Sequence, residues 1–402
     1  MHIELFESCL IVYVYEKHKE FVSDYYLFIW EMLDWILLRP DAVDVWRNRD
    51  VKNRLRWYYE VMTDRKPAKF LIVKRIPVDE DPKKLNENEL WRLHDRLSMD
   101  FKKVWKEIDD NSLRLADLHE PKYSYLDVKI ELAKKLLTPC RFCERRCKVD
   151  RTKESKGFCR LGYDSYVASY FLHMGEEAPL VPSGTIFFSG CSFRCVFCQN
   201  WDISQYPTSG FKVTPEMLAS IATELRIKGA KNINYVGGNP DQHLHTIMES
   251  LKYLEINVPL LWNNNAYTSL EGMKLLLDVI DIHLPDLKYG NDKCASRLSA
   301  ITRYFEIATR NIKMICENND PIIIRHLVLP NHIECCTKPV LEWISKNCPN
   351  ALINVMDQYR PEFMVANNPD RYQEISRRLN KQEINRAYSL AKEYNLLYEP
   401  IS

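Results

Sequence analysis

Three cysteines in the stretch SGCSFRCVFCQN, residues 189–200, are well suited to bind a metal. Cys191, Cys195 and Cys198 follow a β-rich run, TIFFSG, and are spaced by four and then three residues. A structural zinc site takes four protein ligands, and catalytic zinc usually includes histidine. A 4Fe–4S cluster held by three cysteines leaves one iron free to bind a ligand. The spacing favours such an open iron–sulfur centre, with three core thiols, or zinc with a distant fourth ligand, as the alternatives.

A second group of four cysteines lies upstream, in CRFCERRCKVDRTKESKGFC. Cys140, Cys143, Cys147 and Cys159 are spaced by three, four and twelve residues. Four thiols at this density are typical of a metal site, and either zinc or a 4Fe–4S cluster fits them. The surrounding basic residues would offset the negative charge of either complex and do not discriminate between them; they are Arg145, Arg146, Lys148, Arg151, Lys153, Lys156 and Arg160.

The overall composition is ordinary for a soluble globular protein. The chain has 402 residues, a formal net charge of +1, 46% hydrophobic residues and 28% charged residues. This balance argues against a polyanion-binding protein as a whole. Acidic residues are interleaved with the basic ones near the second cysteine group, and no stacking-aromatic pattern accompanies them. A nucleic-acid partner is therefore not expected.

The cysteine content predicts a reducing environment. The chain has thirteen cysteines, and its start, MHIELFESC, lacks the pattern of a signal peptide, so we expect reduced thiols and a cytoplasmic protein. The most apolar run, residues 25–38, is interrupted by acids and too short to span a bilayer, so we expect a buried or partner-facing helix and no membrane partner. The cysteines outside the two groups are interpreted as ordinary buried thiols: Cys9, Cys294, Cys316, Cys335, Cys336 and Cys348.

The first third of the chain differs from the rest. Residues 1–133 contain no glycine and six of the nine tryptophans, and their apolar residues recur at helical spacing. This pattern predicts a mostly helical N-terminal domain. The run AKFLIVKRI, within residues 67–82, is interpreted as a strand or short hairpin.

From residue 181 onward, short β-rich runs alternate with helical segments. The six runs are TIFFSGC, NINYVGG, VPLLWNNNA, VIDIHLPDL, PIIIRHLVL and ALINVMDQY, and the predicted helices include one across 296–316 and a last one near 382–394. Six β-then-α units predict a parallel sheet with right-handed crossovers. Ligands of such folds collect at the carboxyl ends of the strands, where Gly238, Asn264, Asp286 and His326 fall.

The cysteine loop resembles the signature of the radical S-adenosylmethionine (SAM) superfamily, in which CxxxCxxC follows a strand and an aromatic residue, here Phe197, precedes the last cysteine. TIFFSGCSFRCVFCQNWD, VGGNP, PDLK and IIIRHLVLP also resemble stretches of pyruvate formate-lyase activating enzymes. HxGEE at residues 173–177 and MxQYRP at residues 356–361 resemble a branch of uncharacterised activating-enzyme-like iron–sulfur proteins. The resemblance covers about residues 134–398.

The resemblance implies a fold and a chemistry. The fold is α/β: a partial (β/α)6 TIM-like barrel at residues 181–402, preceded by a cysteine knuckle with an auxiliary metal site at 134–180 and by the helical domain at 1–133. Cys191, Cys195 and Cys198 are implied to hold a catalytic 4Fe–4S cluster whose open iron binds the amino and carboxylate groups of SAM. One electron then cleaves SAM to methionine and a 5′-deoxyadenosyl radical, which abstracts hydrogen from the substrate. The second group is implied to hold another 4Fe–4S cluster or zinc.

The resemblance also implies contacts to SAM. Gly237 and Gly238 match a GGE motif whose backbone meets the SAM amino group, while Asn239 stands where the family has glutamate. Asp286 and Lys288 match a DxK motif. Alternate residues of a strand share a face, so both side chains of this motif could point at SAM.

Residues at the ends of other strands are further candidates for contact with the cofactor or substrate. Arg325 and His326 are neighbours on the fifth strand and lie on opposite faces, so at most one points inward. His326 is taken as the candidate ligand contact. Asn264 and Gln358 are candidates for contact with ribose or substrate.

The implied function is that of a radical SAM enzyme, an activating-enzyme-like oxidoreductase acting on a protein or peptide, by glycyl-radical formation or another modification. A flavodoxin- or ferredoxin-like protein is the implied electron donor. The N-terminal domain is the candidate for substrate selection, from its position and aromatic content. The alternative from another class is a non-catalytic zinc or iron–sulfur protein that serves in binding or electron transfer.

Overall fold

The computed structural model describes residues 35–401 of the chain. The α-helices are α1 (Asp41–Asp44), α2 (Arg49–Arg54), α3 (Arg56–Met62), α4 (Lys69–Val73), α5 (Glu87–Asp109), α6 (Tyr125–Lys135), α7 (Trp201–Ser204), α8 (Pro215–Ile227), α9 (Leu244–Ser250), α10 (Leu270–Leu277), α11 (Asp292–Ser299), α12 (Tyr304–Glu317), α13 (Lys338–Asn347), α14 (Phe363–Asn367) and α15 (Lys381–Glu393). The strands are β1 (Ser165–His173), β2 (Ser183–Phe188), β3 (Phe211–Val213), β4 (Ile233–Gly237), β5 (Leu260–Asn264), β6 (Ile282–Pro285), β7 (Ile323–Leu327) and β8 (Leu352–Met356). Cys9 and most of the run 25–38 lie outside the described residues, so the predictions for them stay predictions.

The six predicted β-rich runs become the parallel strands β2, β4, β5, β6, β7 and β8. The first four pair side by side, and β7 pairs with β8. Two single bridges, His283 to Ile322 and Asp286 to Arg325, continue the parallel order from β6 to β7. All five residues of β5 are buried, as expected of a strand covered on both faces. The predicted α/β fold with a partial (β/α)6 barrel is confirmed.

Two antiparallel strands extend the sheet beyond β2. β1 pairs with β2, and β3 pairs with the other edge of β1. The predicted boundary between the cysteine knuckle and the barrel, at residues 180 and 181, therefore falls between two paired strands. The segment 134–180 contributes one strand to the same sheet as the barrel.

The helix predicted across 296–316 is wrong as one element, because the chain turns between α11 and α12. Ala300 and Arg303 have left-handed backbone, each with φ of 52°. The break leaves the end of α11 free to bind the cysteine loop. The backbone N–H groups of Arg194 and Val196 donate to the carbonyl oxygens of Ser299 and Leu298, at 3.0 and 2.9 Å.

The strand or hairpin predicted at AKFLIVKRI is also wrong. Residues Lys69–Val73 form α4, which buries Phe70, Ile72 and Val73. A short apolar run does not distinguish a buried strand from a buried helix by periodicity alone. Here the helix start is stabilised by a buried carboxylate, because the N–H of Lys69 at the start of α4 donates to Asp281 at 3.0 Å.

Helices of the N-terminal segment cover the end of the barrel at which its strands begin. Their partners lie one to three residues before β4, β5, β6, β7 and β8: Tyr58 with Asn232, Ala68 with Asn257, Trp57 with Asp281, Lys69 with Asp320, and Arg54 with Ala351. We call α2–α6 the floor helices. Their apolar residues pack with those of the barrel strands in two buried clusters, a large one and a smaller one that includes Leu55 and Tyr58. The floor helices lie opposite the carboxyl ends of the strands, so this arrangement does not support a role for them in substrate selection.

Three cysteines depart from the expectation of ordinary buried thiols. Cys316 and Cys348 form a disulfide between the end of α12 and the residue after α13, with Cα atoms 5.8 Å apart. That prediction is therefore wrong for this pair, whose 32-residue separation gives no sign of proximity in sequence. It is wrong also for Cys335, which is exposed.

Candidate functional site

The three cysteines of the predicted cluster loop line one cavity at the carboxyl ends of the barrel strands. Cys191 and Cys195 are buried, and Cys198 is half-buried. Residues that follow or end four other strands line the same cavity: Gly237, Gly238, Asn239, Asn263, Asn264, Asn265, Asp286, Lys288 and Arg325. Of the residues predicted for the catalytic cluster and its cofactor, the fold thus brings all but His326 to one place.

Each cluster-loop sulfur has a hydrogen-bonding group beside it. The Phe193 N–H donates to Cys191 Sγ at 3.3 Å, the Ser299 hydroxyl donates to Cys195 Sγ at 3.0 Å, and the Ser204 hydroxyl lies 3.3 Å from Cys198 Sγ. Burial raises the pKa of Cys191 to about 12 and that of Cys195 to about 11. Free thiols at these positions would be neutral, whereas coordination to a metal converts a thiol to a thiolate. The donors are placed to stabilise charge on metal-bound sulfur.

Aromatic packing holds the cysteine loop in place. Phe193 meets Tyr267 and Tyr304 edge to face, with ring centroids 5.7 and 5.6 Å apart. Phe197 packs against Tyr359 in the same manner, at 5.8 Å. The loop is therefore fixed by buried side chains between its cysteines, which leaves the three sulfurs free to face the cavity.

The glycine pair at the end of β4 is required by close backbone packing. Gly237 has φ of 116°, and a Cβ on it would lie 2.2 Å from the Phe188 nitrogen. A Cβ on Gly238 would lie 2.1 Å from the carbonyl oxygen of Gly190. Both glycines line the cavity, but their lack of side chains is explained by the neighbouring strand β2.

The side chains of Asn239 and Asn264, the two amides predicted to contact the cofactor or substrate, form hydrogen bonds with other residues of the chain. Asn239 accepts from the N–H of Asn265 at 3.1 Å. Asn264 donates to Asp241 at 2.9 Å and to Thr268 at 2.8 Å. Asp241 is buried and also accepts from Thr268 at 2.9 Å. These bonds shape the loop after β5, and the sequence analysis missed Asp241 as their common acceptor.

Two neighbouring amides were also missed. Asn265 Nδ2 lies 3.7 Å from Cys191 Sγ and donates to Ser192 Oγ at 3.1 Å. Asn263 lines the cavity with a buried Nδ2 that has no hydrogen-bond partner among the described residues. A buried amide without a partner is costly, so a ligand acceptor at this point would satisfy it. The run NNNA at the strand end was the available signal.

Asp286 and Lys288 form an ion pair at the cavity. Lys288 Nζ donates to Asp286 Oδ2 at 2.7 Å, and both residues follow β6. Burial disfavours the lysine charge, but the Asp286 carboxylate and Cys195 outweigh it and raise the pKa of Lys288. A charged ammonium beside the sulfurs can meet a carboxylate of a ligand.

On β7, Arg325 rather than His326 reaches the cavity. His326 is buried, and its two ring nitrogens lie 2.7 Å from the Leu287 carbonyl oxygen and 2.9 Å from the Thr337 hydroxyl. This geometry corrects the assignment of His326 as a cofactor contact. Alternation along the strand was anticipated, and the structure shows that the inward face belongs to the arginine.

Arg325 is held by two buried glutamates from the HxGEE stretch. It forms two hydrogen bonds of 2.6 Å to Glu177 and a further one to Glu176. Asn354 donates to Glu177 at 2.8 Å, and Asn234 donates to Glu176 at 2.9 Å. The barrel interior thus contains a buried network of hydrogen-bonded polar side chains. Sequence reasoning noted the HxGEE stretch but not its place inside the barrel.

The four upstream cysteines line a small second cavity. Cys140, Cys143 and Cys159 are buried, Cys147 is half-buried, and Ser192 of the cluster loop lies among the lining residues. The segment contacts the loop after β5, because Cys143 and Thr268 form an isolated antiparallel β-bridge between their backbones. The second cysteine group therefore lies at the carboxyl end of the barrel, next to the first.

A stack of charged and aromatic groups connects the two cysteine groups. The guanidinium of Arg145 lies 3.4 Å from the centroid of the Phe158 ring, and that of Arg194 lies 4.4 Å from it. Arg145 also donates to the carbonyl oxygen of Ser192, and Arg194 donates to that of Phe158. Each group of cysteines thus contributes to holding the other in position.

Comparison with known proteins agrees with this site. Residues 185–344 match the family described as the Radical SAM superfamily. The uncharacterized protein MJ0674 of Methanocaldococcus jannaschii is 46% identical over 349 residues, which cover 85% of this chain and 98% of that protein. The chain belongs to the radical SAM superfamily. Radical SAM enzymes use a 4Fe–4S cluster and SAM, so the predicted superfamily and its two cofactors are confirmed.

Other similar proteins are more distant. The uncharacterized protein MJ0808 of the same organism is 26% identical over 215 residues, 48% of this chain and 61% of that protein. The crystal structure of Streptococcus suis SuiB bound to S-adenosylmethionine shares 14% identity and a TM-score of 0.37, and the match covers 52% of this chain and 47% of SuiB. Within residues 35–401, no helix is long and apolar enough to cross a membrane. The narrower likeness to activating enzymes stays a prediction.

Proposed function

We propose that this radical SAM enzyme cleaves SAM reductively and uses the resulting 5′-deoxyadenosyl radical to abstract hydrogen from a protein or peptide. The observation that supports the proposal is the common cavity. Three thiols line this cavity, one fewer than a closed four-thiolate metal site needs. The Asp286–Lys288 pair and the unpartnered amide of Asn263 line the same cavity. A site that only stabilises the fold would have no need of the charged pair and the free amide beside its sulfurs.

The chain's own residues have distinct tasks in this proposal. Cys191, Cys195 and Cys198 bind three irons of the cluster, which supplies one electron to SAM when bound. Lys288, fixed by Asp286, meets the SAM carboxylate. Gly237, Gly238 and Asn239 present the backbone at the end of β4, and Asn264 keeps the loop after β5 in shape. Arg325 lines the cavity, where ion pairs with Glu176 and Glu177 hold its orientation.

A protein or peptide substrate is supported by the surface beside the cluster loop. Trp201 and Phe363 stack with ring centroids 5.4 Å apart and an interplanar angle of 9°. Tyr206 packs edge to face on Trp201 and is 57% exposed. Exposed aromatic side chains are enriched where proteins bind peptides and other proteins. We further propose glycyl-radical formation or another peptide modification as the reaction, with a flavodoxin- or ferredoxin-like electron donor.

The proposal keeps the predicted division of the chain. Residues 1–133 provide the floor helices except for the last two residues of α6. Residues 134–180 bind an auxiliary metal through Cys140, Cys143, Cys147 and Cys159, and residues 181–402 form the catalytic barrel. Either a second 4Fe–4S cluster or zinc satisfies four thiolates. The shared Arg145–Phe158–Arg194 stack suits an auxiliary centre that supports the catalytic loop.

The test is SAM cleavage by the full chain after anaerobic reconstitution with iron and sulfide. On reduction with dithionite, the wild-type protein should release 5′-deoxyadenosine, measured by liquid chromatography. A variant with Cys191→Ala, Cys195→Ala and Cys198→Ala should release none. A Cys316→Ala, Cys348→Ala variant, altered away from the cavity, is the control and should keep the activity.

One outcome would instead support the non-catalytic alternative. Zinc in both cysteine groups, together with no SAM cleavage by the reduced wild-type protein, would show a structural or binding module. Release of 5′-deoxyadenosine without any modified protein or peptide would leave SAM cleavage established and overturn the substrate class.

A further inference from the structure

A third cluster of potential metal ligands lies outside both cysteine groups. It consists of Cys294, His332, Cys335 and Cys336, whose ligand atoms all lie within 4.8 Å of one another. Cys294 is on α11, and the other three residues follow β7. Nothing in the proposed radical chemistry uses these side chains. The short distances between their ligand atoms therefore need a separate explanation.

The local backbone brings these four side chains together. Residues Ile333–Thr337 form a π-helical turn, a rare element that is frequent at functional sites. The turn places Cys335 and Cys336 beside the ring of His332 although the two cysteines are adjacent in sequence. A Cβ on Gly290 would lie 2.7 Å from the Cys336 carbonyl oxygen, so the start of α11 can approach this closely only without a side chain there.

We propose that Cys294, His332, Cys335 and Cys336 bind a single zinc ion in tetrahedral geometry. The Nδ1 atom of His332 lies 3.5, 3.4 and 3.9 Å from the sulfurs of Cys294, Cys335 and Cys336. The Cys335 sulfur lies 4.0 and 3.9 Å from those of Cys294 and Cys336. Zinc–sulfur bonds of about 2.3 Å and zinc–nitrogen bonds of about 2.0 Å require tetrahedral edges of roughly 3.5–3.8 Å. The observed separations lie close to these edges.

The same distances exclude two other interpretations. A disulfide needs sulfurs about 2.05 Å apart, so none of the measured sulfur pairs is bonded. An iron–sulfur cubane places its own iron and sulfide atoms between the cysteine sulfurs, which must then be spread more widely than the ligands of a single ion. Three thiolates and one imidazole around one ion are a donor set that selects zinc.

The surroundings of the cluster suit a bound ion. The amide Nδ2 of Asn291 lies 3.6 Å from the Cys336 sulfur and donates to the Cys335 carbonyl oxygen at 2.7 Å. Outer hydrogen bonds of this kind orient metal ligands and stabilise thiolate charge. Cys335 is exposed, so the site is open to metal exchange from solvent.

The ion would join two segments that border the catalytic cavity. Cys294 and Ser299 are on the same helix, α11, and Ser299 donates to the sulfur of Cys195 in the cluster loop. His332, Cys335 and Cys336 follow β7, the strand that carries Arg325. Zinc at this point would clamp α11 to the segment after β7 and thereby steady the helix that supports the cluster loop.

The experiment measures zinc in the purified full chain by mass spectrometry and by X-ray absorption at the zinc edge, which iron does not disturb. We expect this site to contribute a zinc shell of three sulfurs at about 2.3 Å and one nitrogen at about 2.0 Å, averaged with a four-sulfur shell if the second cysteine group also binds zinc. Cys294→Ser and Cys335→Ser should each lose roughly one zinc per chain. Glu334→Gln, a matched change in the same turn whose side chain is 63% exposed, should keep it.

The readout is independent of the radical chemistry. If the second cysteine group also binds zinc, the wild-type chain holds one further zinc that the two serine variants retain, and their loss of one equivalent is still visible. A folded Cys335→Ser variant with the wild-type zinc content would overturn the proposal. So would a wild-type chain in which these cysteines react with a thiol reagent as fast with zinc as after chelator treatment.

Discussion

Arg325 donates two hydrogen bonds of 2.6 Å to Glu177, from Nε and from Nη2, inside the barrel. The Glu177 side chain is fully buried, and that of Arg325 is 15% exposed. This bidentate geometry is among the strongest that a guanidinium and a carboxylate can form. It ties the segment between β1 and β2 to β7, and the second buried carboxylate, Glu176, completes the pairing.

Removal of the arginine should destabilise the whole fold. Arg325→Met keeps much of the side-chain volume but leaves two buried carboxylates without their cation, and breaking a buried pair costs about 3–5 kcal/mol. We expect that loss in the free energy of unfolding measured with urea. Arg360→Met is the control: Arg360 pairs with Glu362 but is 54% exposed, so its loss should stay within about 1 kcal/mol. Equal losses of unfolding free energy for the two variants would contradict the role of Arg325 as the cation that compensates the two buried carboxylates.

The same pair predicts acid sensitivity. Burial opposes the charge of Glu177, but Arg325 outweighs it and lowers the pKa of that carboxyl. A carboxyl whose pKa is lower in the folded state stabilises the protein above its unfolded pKa, near 4.3, and this contribution disappears as the pH falls through the folded pKa. Urea midpoints of the wild type should therefore fall below about pH 4 more steeply than those of Glu177→Gln. If the urea midpoints of the wild type and of Glu177→Gln fell equally with decreasing pH, Glu177 would not be the cause of the acid sensitivity.

Lys288 should govern SAM affinity without affecting the cluster. Its ammonium is charged, since neighbouring acidic groups raise its pKa despite burial. A hydrogen bond to a charged group contributes about 1.5–3 kcal/mol, so Lys288→Met should weaken SAM binding roughly 10- to 150-fold by calorimetry. Iron content should remain at the wild-type level. Lys313→Met, on the exposed surface of α12, is the control and should bind SAM normally. A fall in iron content with unchanged SAM affinity would assign Lys288 to the cluster instead.

The nature of the second centre follows from metal counts. Wild-type protein should hold roughly eight irons if both cysteine groups carry clusters, or roughly four irons if the second group carries zinc. Cys140→Ala with Cys143→Ala should remove only the second centre and leave the iron of the cluster loop. Loss of all iron in this variant would mean that the Arg145–Phe158–Arg194 stack transmits the damage to the catalytic loop. A variant that keeps all of the wild-type iron and all of the wild-type zinc would exclude this group as a metal site.

The sequence predicted the strands and the cavity because both depend on local patterns. Six apolar runs with helices between them are enough to define parallel strands and their common end, where Asp286 and Lys288 meet the cysteine loop. A resemblance to a known signature supplied the chemistry of the three cysteines. These features need no knowledge of which distant residues touch.

The features that were missed depend on long-range contacts. His332 and Cys294 are 38 residues apart, and only the close docking of α11 on the turn after β7 brings them together. Arg325 and His326 have the same strand environment in sequence, and the buried Glu176 and Glu177 decide which one faces inward. The run HIECC was the signal available for the third cluster, since it places three potential metal ligands, His332, Cys335 and Cys336, within five residues.

Trp57 tests whether the floor helices act on stability alone. Its indole N–H donates to Asp281 at 2.9 Å, at the end of the barrel opposite the cavity. Burial raises the pKa of Asp281 to about 6, while donors from Leu260, Lys69 and Trp57 act against that rise. A carboxyl whose pKa is raised in the folded state stabilises the protein at acid pH, and this contribution is lost as the pH rises through about 6. The indole favours the ionised form, so its removal should cost more at pH 8 than at pH 5.

Trp57→Phe should therefore lower the free energy of unfolding by about 1–2 kcal/mol at pH 8, and by less at pH 5. Its SAM affinity and its release of 5′-deoxyadenosine should match the wild type, because Trp57 is not among the residues that line the cavity and bonds to Asp281 at the opposite end of the barrel. Urea unfolding at the two pH values gives the first quantity, and calorimetry with chromatography gives the others. A large change in SAM affinity at unchanged stability would show that the floor helices communicate with the catalytic end of the barrel.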